Sequence, residues 1–278
     1  MTRPTAPHAD HAHVGLKRIT LGPFRLVDAT RSELLSAVAD AIQESGRARS
    51  PLVMLSLHVG GLNLRKDTAL TSALNRADLL VADGISVAVL AAIAGARGLH
   101  RHPTTDFGWE LLSVISRRLG RPVKVALLGG PAGLARRAGD VMVERPDIEI
   151  ALTEHGYHSD WSHTLDALAA ADWDVLLVGM GMPGEALWVD RHRQRLNGAL
   201  VLTCGGWFGH IVGDEQRAPG WMRRAGLEWA ARLAQQPTRL VGRYAKGLLS
   251  TVAMIPTALR SRLRSAKPEE PQQERREV

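Results

Sequence analysis

Short apolar runs that end in glycine or an acid, each followed by a segment of helical periodicity, recur along this chain and restrict what it can fold into. The runs are "PLVMLSLH", "DLLVAD", "PVKVALLGG", "IEIALTE", "DVLLVGMG" and "ALVLTCGG". A strand that is apolar on both faces must be covered on both faces, and helices between strands supply that cover. The pattern therefore predicts an α/β fold, a largely parallel sheet with helices on both faces. The intervening segments read as helices. "TRSELLSAVADAIQES" opens with Thr30 and Glu33 at capping-box spacing, "NLRKDTALTSALNRA" reads as one helix, and others start at Ile85, Phe107, Pro131, Ser159 and Gly184. "ITLGPFRLVDA" reads as a first strand. At 278 residues and 45% hydrophobic content, there is ample material for a packed core.

The residues at strand ends carry the first functional signal. In open α/β sheets, ligands bind outside the carboxyl ends of the strands. "DLLVADG" places Asp83 at such an end, beside Gly84. The acid is either a helix N-cap or a chemical group facing a ligand. Gly129-Gly130, Gly179 with Gly181, and Gly205-Gly206 each stand where a strand turns towards a helix. Tight turns want glycine, and glycine also lets backbone N–H groups approach an anion at a helix start, so phosphate is the natural guest.

Charge narrows the partners. The chain carries a net charge of +7, and between Arg217 and Lys267 the basic residues face a single acid, Glu228. So one-sided a segment implies an anionic partner: lipid headgroups, a pyrophosphate or nucleic acid. No apolar run reaches the roughly 18–20 residues of a bilayer span; the longest, "GLLSTVAMIPTAL", is too short and holds Pro256. The single cysteine, Cys204, excludes an internal disulfide framework. The leader carries His8, His11 and His13 and reads as disordered, as does the tail after Ala266. The Asp-x-Asp of "DWD", Asp172 to Asp174, has the spacing of a divalent-metal clasp, but it precedes its strand and so belongs to the other edge of the sheet. No histidine pair has convincing ligand spacing, so no metal is expected.

Several ordered blocks together are similar to the WecG/TagA/CpsF family of bacterial glycosyltransferases, from about Ile19 to about Leu249. They are "ALNRADLLVADGISV", "RHPTTDF", "VALLGGPAG", "EHGYHS", "DVLLVGMGMPGEALWV" and "GGWFGHIVGDEQRAPGWMRRAGLEWAARLAQQPTRLVGRY". The resemblance implies a Rossmann-like catalytic domain over residues 18–213, after a leader of 1–17. A helical, basic appendage over 214–265 that meets membrane and acceptor would follow, and then a tail of 266–278. It implies a UDP-sugar donor (N-acetylmannosamine, its uronate or glucose), a polyprenyl-diphosphate-linked acceptor, and inversion without a metal or other cofactor. The implied location is cytoplasmic, peripheral on an anionic membrane surface, with a homo-oligomer left open and no nucleic acid bound.

Residue by residue, the resemblance makes Asp83 the general base, with Ser56 and His58 beside it where the family has a Thr-x-Asn pair. Donor-binding positions would be Gly84, Gly129, Gly130, Gly179, Gly181, Pro183, Glu185, Gly205 and Gly206. Acceptor or membrane contacts would be Arg101, Asp106, Arg217, Trp221, Arg224 and Trp229. The chain departs from the family at Gly184, where a Lys or Arg is usual, at Glu185 and Ala186 in place of Gln-Glu, and at Gly209 in place of an acid. Two other readings stand beside this one: a nicotinamide-dependent oxidoreductase, which lacks the expected G-x-G-x-x-G after the first strand, and a non-catalytic nucleic-acid-binding module.

Overall fold

The first element among the described residues is a hairpin. β1 (Arg18–Leu21) and β2 (Phe24–Val27) pair antiparallel, so the segment that reads as one strand is two. Gly22-Pro23 is the cause: Gly22 takes φ +59, which a side chain disfavours, and proline cannot donate to a ladder. The computed structural model describes residues 14–45, 50–99, 101–214, 218–224, 227–235 and 237–265. The leader histidines His8, His11 and His13, together with Arg217 and the tail after residue 265, lie outside them.

α1 (Arg31–Ser45) starts on the predicted capping box, with the Thr30 N–H donating to Glu33 Oε2 at 2.8 Å and the Glu33 N–H to Thr30 Oγ1 at 3.3 Å. β3 (Leu52–Leu57) follows, then α2 (Val59–Asn63), which the sequence does not announce, and α3 (Thr68–Arg76), which starts later than the Asn63 that the sequence suggests. Asp67 divides them, because its carboxylate caps α3 through the Leu70 N–H at 3.1 Å. Next come β4 (Leu79–Ala82), α4 (Ile85–Ala94) and α5 (Thr104–Leu119), which starts three residues before Phe107.

The second series is β5 (Val123–Gly129), α6 (Leu134–Met142), β6 (Ile148–Glu154), α7 (Ser162–Ala170), β7 (Val175–Gly179), α8 (Gly184–His192) and β8 (Leu200–Thr203). The short α9 (Trp207–Ile211), α10 (Gly220–Arg224) and α11 (Glu228–Gln235) lead to the long α12 (Pro237–Ser265). Six strands form one parallel sheet in the order β4-β3-β8-β7-β5-β6, with apolar clusters on both faces, as the doubly apolar runs require. β3, β4, β7 and β8 are buried along their whole length.

Two features bear on the C-terminal segment. α12 runs through Pro256 without ending there, so that proline does not interrupt the helix. One face of α12 packs along α2 and α4, where Met254 and Ala258 are buried and Arg65 Nη1 donates to Ser250 Oγ at 3.0 Å. The opposite face leaves Leu248, Leu249, Val252, Leu259 and Leu263 exposed. No helix among the described residues is long and apolar enough to cross a membrane.

The "DWD" carboxylates lie at the amino end of β7, as the order of the chain requires. Asp174 is buried and held bidentately by Arg121, at 2.6 and 2.8 Å, and Asp172 pairs with Lys124 at 2.8 Å. This is an ion-paired strand start that ties β7 to the beginning of β5.

Candidate active site

A cavity of about 960 Å³ opens at the carboxyl ends of the sheet. Its walls come from the segments after β3, β4, β5, β7 and β8, closed on one side by α11 and α12. β4 delivers Asp83 to this wall. The Asp83 N–H still donates to the Leu57 carbonyl of β3 at 2.8 Å, so its backbone is the last rung of the sheet. The chain then turns at Gly84, whose φ of +100 and ψ of +151 suit glycine alone, and Gly84 itself stands in the N-cap position of α4. Asp83 therefore precedes the capping position and lines the cavity.

β3 delivers Ser56 and His58. Ser56 is buried, its N–H donates to Thr203 Oγ1 at 3.2 Å, and its own Oγ has no hydrogen-bond partner although it lines the cavity. His58 is the N-cap of α2: its Nδ1 accepts from the Gly60 N–H at 2.9 Å. A ring nitrogen that accepts carries no proton, so the neutral imidazole holds its proton on Nε2, a donor in place of the family's amide.

The glycine turns divide into two kinds. Gly130, Gly179, Gly181, Gly205 and Gly206 line the cavity. Gly129 does not: it has φ +154, and a Cβ there would run into the Gly179 carbonyl oxygen. Gly179 in turn is pressed on the next turn, since its Cβ would lie 2.9 Å from the Gly205 carbonyl oxygen. Here glycine serves the close approach of β5, β7 and the turn after β8 as well as any ligand.

Glu185, in the first turn of α8, is the buried acid of the site, 2% exposed. Its Oε2 accepts from the Gly181 N–H at 2.9 Å and the Gly205 N–H at 3.2 Å. Burial pushes its carboxyl up to about 7, against the pull of those backbone donors and of Met180, and the negative charge of Asp83 adds to the rise. Burial, with Glu185 nearby, also holds the Cys204 thiol well above its ordinary range, so this cysteine is un-ionised.

Arg101 lines the cavity; Asp106 does not, because it lies in the first turn of α5, where its carbonyl accepts from Arg31 at 3.1 Å. Pro183 precedes α8 after a cis Met182–Pro183 bond and stands off the wall. Trp229 reaches the cavity and packs edge-on to Tyr244, with centroids 6.0 Å apart. Trp221, 60% exposed, is away from it. The Arg224 side chain, like Arg217, is outside what the structure describes. Reasoning from sequence missed Thr203, Tyr157 and Tyr244. A polar residue closing the apolar run "ALVLT" was a signal for the first, and the aromatic in "EHGYHS" for the second. Nothing in the sequence marked Tyr244, which the path of α12 brings in.

The profile of the family described as "Glycosyl transferase WecG/TagA/CpsF family" matches residues 19–268. The chain belongs to this family. Among curated relatives, an N-acetylglucosaminyldiphosphoundecaprenol N-acetyl-beta-D-mannosaminyltransferase of Bacillus subtilis is 29% identical over 175 residues, covering 63% of this chain and 67% of that protein. The protein of the same name from Bacillus spizizenii is 27% identical over 210 residues, 75% of this chain and 78% of its own. Among solved structures, a substrate-binding periplasmic protein from Ralstonia solanacearum covers 81% of this chain and 69% of its own, at 15% identity and a TM-score of 0.30. A likeness that low bears on neither fold nor function. As a member of this family the chain is a glycosyltransferase, and neither the oxidoreductase nor the nucleic-acid reading is carried further.

Proposed function

We propose that this glycosyltransferase moves a sugar from UDP to a polyprenyl-diphosphate-linked sugar at a membrane surface, with inversion at the anomeric carbon and without a divalent metal. The observation that carries the reading is Asp83, held at the exit of β4, outside the capping position of α4 and on the wall of the large cavity. Inverting transfer needs one base: the acceptor hydroxyl gives its proton to the Asp83 carboxylate as its oxygen attacks the anomeric carbon. The bond from that carbon to the UDP phosphate breaks, and its electron pair leaves on the phosphate oxygen. The Ser56 hydroxyl and the His58 Nε2–H are the neutral polar groups that flank this position from β3. Arg101 supports the reading from the acceptor side, since a guanidinium suits a diphosphate.

N-acetylmannosamine is the donor sugar favoured, because both relatives above carry it in their names, and their named acceptor, N-acetylglucosaminyl diphosphoundecaprenol, is the acceptor class proposed. The metal-independent reading is supported by the "DWD" acids, which are committed to Arg121 and Lys124 at the far edge of the sheet.

Membrane docking is supported by α12. Its outward stripe of Leu249, Val252, Leu259 and Leu263 is exposed, with Lys246, Arg260 and Arg264 on the adjoining flank and Arg262 on the other. An apolar stripe edged by cations suits the interface of an anionic bilayer, lying in its plane.

The test is transfer from UDP-N-acetylmannosamine to a short-chain polyprenyl-diphosphate N-acetylglucosamine, read by product mass. Asp83→Asn should retain UDP binding and lose roughly 10²- to 10⁴-fold in turnover, the usual worth of a general base. Near-normal turnover in that variant would refute the assignment.

A further inference from the structure

We propose that the seam between α4 and α12 is the site for the hydrocarbon chain of the lipid-linked acceptor, leading its first isoprene units out of the active-site cavity. The inference rests on the acceptor class proposed above. It goes beyond that reading by giving the polyprenyl chain a place on the protein itself, apart from the bilayer.

The two helices pack along one another. They run in the same direction, which their ends show. Ile85 at the start of α4 and Leu248 on α12 both line the cavity. At the other end, a Cβ on Gly95, the C-cap of α4, would lie 3.6 Å from Arg262 Cγ. Ile85 and Leu248 are exposed, and each is followed four residues on by another exposed apolar side chain: Val89, 45% exposed, and Val252, 55% exposed. Four residues are about one helical turn, so Val89 and Val252 continue away from the cavity what Ile85 and Leu248 begin at its edge. Apolar surface on two neighbouring helices thus starts inside the cavity and leaves it.

The chemistry of the acceptor matches that course. Its sugar and diphosphate are polar and its chain is not, so an acceptor seated in the cavity must carry hydrocarbon out past the rim. Exposed apolar surface is unfavourable in the ligand-free protein and favourable once hydrocarbon covers it. Ile85 follows Asp83 by two residues, so the apolar path begins beside the proposed base. Val89 lies on α4, outside the α12 stripe assigned to the bilayer, and it therefore separates a contact with the acceptor chain from a contact with the membrane.

The experiment compares kcat/KM of the full chain for geranyl- and geranylgeranyl-diphosphate N-acetylglucosamine, without vesicles and below the concentrations at which either acceptor aggregates. The readout is the ratio of the two values. The wild type should favour the longer chain roughly tenfold, because that chain covers apolar surface which the shorter one leaves in water. Val89→Asn should lose most of this preference. Val252→Asn reads the same seam from the other helix, so poor folding of one variant leaves the test standing. A wild type that transfers equally well to both acceptors overturns the inference. So does a ratio unchanged in the two variants; if they then sediment less with anionic vesicles, this surface meets the bilayer and not the acceptor's chain. Absence of transfer to either acceptor would refute the proposed function and the inference with it, whereas an active enzyme indifferent to chain length refutes the inference alone.

Discussion

Glu185 should make the fold itself depend on pH in a way that one substitution removes. Its carboxyl is raised from 4.5 to about 7, so between these values the native state binds a proton that the unfolded chain has lost. Stability from this group is fully present below pH 4.5 and is lost as pH rises through 7. The difference of 2.5 units (7 − 4.5), at 1.36 kcal/mol each, comes to roughly 3 kcal/mol. Glutamine keeps an acceptor for the Gly181 and Gly205 N–H groups and never ionises. Glu185→Gln should therefore match the wild type near pH 4.5 and exceed it by roughly 3 kcal/mol at pH 8. In melting temperature that is about 6–12 °C for a chain of this size. Urea unfolding of both proteins at several pH values reads the effect, and the comparison cancels every other titrating group. A stability difference independent of pH would refute the reasoning, because it would mean that the Glu185 carboxyl titrates at the same pH in the folded and unfolded protein.

Three further outcomes are expected. Gly129→Ala, which forces a Cβ into the Gly179 carbonyl at φ +154, should cost about 3 kcal/mol or more, seen as a lowered denaturation midpoint or as insoluble protein. Leu249→Ser and Leu263→Ser, at outward positions of α12 that do not line the cavity, should each weaken sedimentation with anionic vesicles by about tenfold and leave the melting temperature nearly unchanged. Transfer should persist in EDTA; activity that disappears in chelator and returns with Mn²⁺ or Mg²⁺ would refute the metal-independent reading.

Much of this architecture was legible because burial on both faces of a strand leaves a signature that nothing else in a sequence produces. The runs around Leu55, Leu80, Leu127 and Leu177 could be read as strands without any further information, and Asp83 stood out as the one acid closing such a run beside a glycine. What was not legible depends on who meets whom across the sheet. Gly129 reads as a ligand turn in sequence, yet its contact with Gly179 exists only because β5 and β7 are neighbours. The break between α2 and α3 depends on Asp67 folding back on the Leu70 N–H, a local choice that helical periodicity hides. Glu185 looked like a lost amide in a donor loop; that it joins two turns required β7 and β8 to lie side by side.

The same reasoning reinterprets the basic C-terminal segment. A charge run beginning near Arg217 reads as an appendage, separate from the body it follows. In the fold, α12 is a helix with three obligations. Gly247 meets Val59 of α2 closely, and Met254 and Ala258 fill the core beside α4, so one face is structural. Val241, Tyr244 and Leu248 line the cavity, so the amino-terminal part of the helix walls the site. Leu249, Val252, Leu259 and Leu263 face outward, which under the proposed function is the bilayer. Under the proposed function, α12 would then serve both as cavity wall and as membrane face. On the same reading, Arg101, which lines the same cavity, would meet the acceptor diphosphate near Asp83. Under that function a soluble acceptor would gain nothing from such an arrangement, whereas a lipid-linked one would be held beside the cavity that Asp83 lines.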